Sequence, residues 1–81
     1  MEKDIITVLQ EDGTKKEMEV VLLYKEGNTN YILYKEIDNS DECYAAKYLL
    51  NNDIYELDTN LTKKEISKLE ILLNSTLKEN N

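Results

Sequence analysis

The chain of 81 residues contains no histidine, arginine, proline, tryptophan or phenylalanine, and it has one cysteine and two glycines. Each absence narrows what the protein can do. Histidine is the side chain that most often moves protons near neutral pH, and without it general acid–base work falls to carboxylates held in a cleft. The lone cysteine, Cys43, has no second cysteine for an internal disulfide and no imidazole to activate its thiolate, so it reads as a small strand residue in a reducing compartment. Ser40, Ser67 and Ser75 likewise lack a base at any recognisable spacing. Enzyme chemistry is therefore not expected, and no cofactor is implied. Missing arginine removes the planar fork that grips phosphates and guanine edges.

Long apolar runs are also missing. The opening Met1-Glu2-Lys3-Asp4 has no signal-peptide character, and no stretch approaches the ~20 apolar residues of a membrane span. A soluble cytoplasmic protein is the expectation. What the chain does carry is negative charge: 17 acidic residues against 10 lysines give a formal charge of −7. Such a chain is repelled from nucleic acid and anionic lipid unless its lysines cluster. Lys15-Lys16 and Lys63-Lys64 form pairs, while the remaining lysines are scattered among carboxylates. Neither nucleic acid nor a membrane is an expected partner. At this length one domain, residues 1–81, buries only about 60–65% of its unfolded surface, enough for one modest core and no large enclosed pocket.

Residues 18–24, Met-Glu-Val-Val-Leu-Leu-Tyr, are the stretch around which the rest is arranged. As a strand, it places Met18, Val20, Leu22 and Tyr24 on one face, with Val21 and Leu23 on the other between Glu19 and Lys25. Apolar residues on both faces imply a strand covered on both sides, inside a sheet rather than at its edge. The second face has two readings: a helix or curled sheet covers Val21 and Leu23, or they form a contact patch for a partner.

Strand 5–10 precedes it, with Ile5, Thr7 and Leu9 opposed to Ile6 and Val8. Asp12-Gly13 between these runs is a strong hairpin signal, because Gly13 accepts a positive φ and Asp12 tolerates one. The organising strand then extends over about 15–26. A second turn at 27–30 leads to strand 31–37, with Tyr31 and Leu33 facing one way and Ile32 and Tyr34 the other. An acidic loop, 38–42, precedes strand 43–50, where Tyr44, Ala46, Tyr48 and Leu50 share a face. Asn51-Asn52-Asp53 is a turn by composition, and 54–58 is a short fifth strand with Tyr55 and Leu57 inward.

Periodicity then changes from two to 3.6. Thr62 as N-cap, Glu65 as the returning half of a capping box, and Leu61 against Ile66 as a hydrophobic staple specify a helix start. Ile66, Leu69, Leu73 and Leu77 form an apolar stripe widened by Leu72, Lys78 suits the last-turn dipole, and Ile71 points away from the stripe. The helix spans about 62–78, and residues 79–81 are expected to fray. The expected fold is α+β: an antiparallel meander of four to five strands over about 4–58, in chain order, with the C-terminal helix packed on one face.

The run Ile6-Thr7-Val8, Glu11-Asp12-Gly13, Met18-Glu19-Val20, Asn30-Tyr31 and Glu42-Cys43-Tyr44 resembles the YrzB-like family of short acidic bacterial proteins, a domain of unknown function, over about two thirds of the chain. In that family the pattern runs roughly Ile-Thr-Leu, Asp-Glu-Asp-Gly, Phe-Glu-Val, Glu-Tyr and Glu-Val-Tyr. Two features depart from it: Lys35 stands near where the family often has proline, and the capped helix from Thr62 replaces a highly acidic C-terminal stretch. The resemblance implies a bacterial origin and lends no activity, ligand or site residue.

The remaining chemistry is sparse. Asp38, Ser40 and Glu42 alternate oxygen ligands, but an EF-hand counted from Asp38 would need glycine at Cys43 and glutamate at Leu49, so at most weak divalent-cation binding is implied, against a hydrated turn. Six tyrosines, with Tyr44 and Tyr48 on one strand face, suit an aromatic platform for RNA bases or, more simply, half-buried strands. Function therefore points to a non-catalytic protein-interaction module, binding a protein partner or a second copy through Val21, Leu23 and Ile71. The alternatives are a weak cation or small-ligand domain, and an RNA-binding or nucleic-acid-mimic protein.

Overall fold

In a computed structural model, residues 4–38 and 42–79 are described, the last four of them by backbone alone. Five strands, β1 (Ile5–Leu9), β2 (Lys15–Glu26), β3 (Thr29–Lys35), β4 (Tyr44–Asn51) and β5 (Ile54–Asp58), are followed by one helix, α1 (Lys63–Glu79). Consecutive strands pair antiparallel, as the alternation implies. The sheet does not stay open, however. β1 and β5 pair in parallel through Thr7↔Ile54, Val8↔Tyr55 and Leu9↔Glu56, closing a barrel in chain order. This corrects the expected open meander with one covered face. Closure has a simple geometric cause: after an odd number of antiparallel strands the first and last run the same way, and strand twist brings them edge to edge.

A bulge in β2 makes closure possible. Lys15 to Glu19 pair with β1, whereas Glu19 to Glu26 pair with β3, so this 12-residue strand serves two walls. Its register against β3 shifts between Val20 and Leu22, leaving Val21 unpaired and bending the strand. The extra residue also exchanges the faces. Met18 and Val20 pack inside with Ile6, Val8, Ile32, Tyr34, Ala46, Tyr48, Tyr55 and Leu57. Beyond the bulge, Leu22 and Tyr24 join Val21 on the outside, contrary to the uniform alternation read from residues 18–24. The most fully covered strand is consequently β3, in which Tyr31, Ile32, Leu33 and Tyr34 are all buried. Ile32 and Tyr34 face the barrel interior, and Tyr31 and Leu33 face the helix.

Turn chemistry follows the local sequence. At β1–β2, Gly13 takes φ +87° while Asp12 accepts hydrogen bonds from the Thr14 amide (2.9 Å) and hydroxyl (2.6 Å). Asn51↔Ile54 pairing leaves Asn52-Asp53 as a two-residue hairpin loop, with φ of 51° and 68° at its two positions, the pattern of a type I′ turn. The capping box forms as read: the Glu65 amide donates to Thr62 Oγ1 (3.1 Å), and the Thr62 amide donates to Glu65 Oε1 (2.9 Å). Leu69 is buried at 3% exposure, with Leu61, Leu72 and Leu73 packing beside it onto Val21, Leu22, Tyr24, Tyr31, Leu33 and Ala45. Ile66, expected in this stripe, is 41% exposed. The side chains of Leu77 and Lys78 lie outside the described residues. Among the described residues no helix is long and apolar enough to cross a membrane.

Candidate functional site

Two places on the outer wall gather polar groups around an apolar surface. The first fastens the helix to the barrel. Glu65, already held by its capping contact, also accepts a hydrogen bond from the Tyr31 hydroxyl at 2.6 Å and an ion pair from Lys47 at 3.4 Å. These donors hold its carboxyl at about 2, with the Thr62 amide contributing most and Tyr31 next. The same hydrogen bond, followed by burial, pushes the Tyr31 phenol up. One turn along the helix, Lys68 pairs with Glu26 and lies 6.0 Å from the Tyr24 ring centroid, while Tyr24 stacks on Tyr31 at 6.1 Å. A cavity of about 220 Å³ lies between these groups. Within its lining Lys68 meets Glu26 and Tyr31 meets Glu65, contacts that fasten the helix to the wall.

The second place is the end of the barrel where β3 and β4 part. Their register stops at Tyr31↔Lys47, yet β4 continues against β5 to Asn51↔Ile54. Residues 48–51 therefore pair with a strand on one side only. Here a cleft of about 370 Å³ is lined by Asn28, Thr29 and Asn30 on one wall and by Lys47 to Leu49 and Glu56 to Asp58 on the other. Tyr48 packs inward against Tyr55, with ring centroids 5.0 Å apart, whereas its neighbour Leu49 is 68% exposed and Leu50 56% exposed. Strand alternation sets Lys47, Leu49, Glu56 and Asp58 on the outer face, since Lys47 is opposite Asp58 and Leu49 opposite Glu56. Lys47 is turned to Glu65, so the cleft is lined by carboxylates beside exposed leucine.

The residues singled out from the sequence fall differently. Val21 is half-buried and packs on the cluster that includes Leu69 of the helix. Leu23 is 47% exposed and lies between Leu22 and Tyr24, which both pack toward the helix, so alternation turns it to the opposite face. Ile71 is 66% exposed on the helix. The three thus do not share one continuous face. Residues 39–41 of the acidic loop lie outside the described residues; its flanking Glu42 accepts the Tyr44 hydroxyl at 2.7 Å. Among the described residues no group of three or more potential metal ligands occurs. Cys43 is exposed as a residue, but desolvation of its sulfur outweighs nearby Lys35 and pushes the thiol up, away from reactivity. All six tyrosines are taken up in cross-strand pairs, the third being Tyr34 with Tyr44 at 5.6 Å.

Sequence reading did not find the cleft. A signal for it is present: in Tyr48-Leu49-Leu50-Asn51, adjacent leucines cannot both face the interior of one strand, and no charge guards the segment. Comparison with known protein families, curated proteins and solved structures finds no match for this chain.

Proposed function

We propose that this protein is a non-catalytic protein-interaction module of the cytoplasm whose contact surface is the open end of the barrel at Leu49 and Leu50. The observation that carries this reading is the strand segment 48–51, paired on one side only, with leucines 68% and 56% exposed beside an accessible cleft. Exposed apolar side chains grouped on an unguarded strand edge are uncommon on a protein that works alone. Membership of the YrzB-like family belongs to the same proposal and adds no activity to it.

The reading is tested by affinity capture from native lysate with three proteins: the wild type, a Leu49→Ser, Leu50→Ser variant, and a Leu23→Glu, Ile71→Glu variant. All three are first matched for folding by circular dichroism. The expected result is a partner held by the wild type and by the Leu23, Ile71 variant, and lost by the Leu49, Leu50 variant. Loss in the Leu23, Ile71 variant alone would move the surface to those residues. Equal capture by all three, or capture of nothing, would defeat the proposal.

A further inference from the structure

We infer that the vacated edge of β4 accepts an extended, lysine- or arginine-bearing segment of a partner protein, added as one more strand beside residues 48–51. This rests on the interaction reading above and names the chemistry of the partner. The backbone argument comes first. Successive residues of a strand turn their N–H and C=O to opposite sides, and along 48–51 those directed at β5 are taken up by the ladder to Ile54 through Leu57. The other side, which β3 occupies up to Lys47, faces the cleft from there on. At ~3.3 Å per residue this edge is roughly 13 Å long, room for about four residues of a pairing segment. The opposite wall, Asn28 to Asn30, carries amide and hydroxyl side chains able to hydrogen-bond its far side.

Charge then selects the segment. Outer-face Glu56 and Asp58 line the cleft; Glu56 accepts a long 3.4 Å contact from Asn51, and one Asp58 oxygen accepts the Asn60 amide at 3.0 Å. The cation in the lining, Lys47, is engaged by Glu65. An entering strand places alternate side chains over this outer face, where the stem of a lysine or arginine covers Leu49 and its head reaches across β4 to the carboxylates of β5, while the intervening apolar side chains turn to the other face, toward Leu50. A second copy of the chain is disfavoured as the occupant. Each copy carries −7 overall, and two-fold pairing along this edge would set the Glu56 and Asp58 walls of both copies near one another without a basic counterpart.

The experiment uses the full chain and capped octapeptides at low and at physiological salt. One peptide alternates valine with lysine, one alternates valine with glutamate, and one is the lysine peptide with N-methyl groups on alternate backbone amides. Binding is read by fluorescence anisotropy, and location by amide chemical shifts and hydrogen exchange. The lysine peptide is expected to bind at micromolar to millimolar concentration, more weakly as salt rises. Shifts should be confined to residues 28–30, 47–51 and 56–58, with exchange in 48–51 slowed tenfold or more. Glu56→Gln with Asp58→Asn should weaken binding at least fivefold, and the glutamate and N-methylated peptides should not bind.

Equal binding of the N-methylated peptide would reduce the contact to charge and overturn strand addition, as would shifts spread over the acidic surface. Protection of 48–51 that grows with protein concentration in the absence of peptide would assign the edge to a second copy, overturning the proposal. If no peptide binds while the Leu49, Leu50 variant still loses its lysate partner, the inference fails and the interaction module stands. If that capture also fails, both fall.

Discussion

Leu69→Ala tests whether the helix is an integral part of the fold. Among the described side chains of the helix, Leu69 is the one the barrel wall covers most fully, at 3% exposure, lying among Tyr31, Leu33, Leu72 and Leu73. Truncation removes three carbons, about 2.4 kcal/mol of transfer free energy at ~0.8 kcal/mol per buried carbon. A cavity contribution adds up to about 1 kcal/mol, limited because a helix on an outer wall can settle inward, and the better helix propensity of alanine returns about 0.2 kcal/mol. The expected loss is about 2.2–3.2 kcal/mol, against a total stability of roughly 4–12 kcal/mol for a chain this size. Ile71→Ala, made at a position 66% exposed, provides the matched control and should change stability by under about 0.5 kcal/mol. Urea unfolding at pH 7 measures both. If the barrel stays folded while the helix leaves it, the slope against urea falls along with the midpoint, because less surface remains to be exposed. Leu69→Ala and Ile71→Ala within about 0.5 kcal/mol of each other would refute the docking of the helix through this stripe.

Three other outcomes follow from local geometry. Glu65 has a folded pKa of about 2 against an ordinary 4.5, so its contribution to stability is fully present above pH 4.5 and is lost as the pH falls from there toward 2. Thermal melts of wild type and Glu65→Gln should therefore converge through that window, and a constant gap between them from pH 6 to pH 2 would contradict the assignment. Thr62→Ala removes the acceptor for the Glu65 amide and should cost about 1 kcal/mol in urea midpoint, whereas Thr62→Ser should cost little. Asp53→Gly relieves a non-glycine residue at φ 68° in the β4–β5 hairpin loop and should stabilise by about 0.5 kcal/mol, seen as a raised melting temperature; a lowered one would mean the turn is not of this type.

The cleft proposed as the contact surface illustrates where sequence reading stops. Glu65 was legible as a capping residue because its partner Thr62 is three positions away. Its other partners, Tyr31 and Lys47, come from different strands, and no local pattern announces them. Alternation places Leu49, Glu56 and Asp58 on strands, but that they border a gap depends on β3 ending its pairing at Tyr31↔Lys47. Val21 and Leu23 looked alike in sequence, two apolar residues on one strand face. The bulge separates them, one under the helix and the other on the far face, and no glycine or proline marks its place.

What the sequence by itself determined is local. Asp12-Gly13 and Asn52-Asp53 set turns because few residues accept a positive φ. Alternation over Tyr31 to Tyr34 set which side chains face in, and the Thr62, Glu65 box set where the helix begins. Tertiary structure decided the rest: that β1 and β5 join in parallel to close a barrel, that β2 bends at Val21 to serve two walls, and that the end of β4 is left with one neighbour. These outcomes depend on strand twist and bend accumulated over distant residues. A hydrophobic pattern of period two reads the same in an open sheet and in a closed barrel.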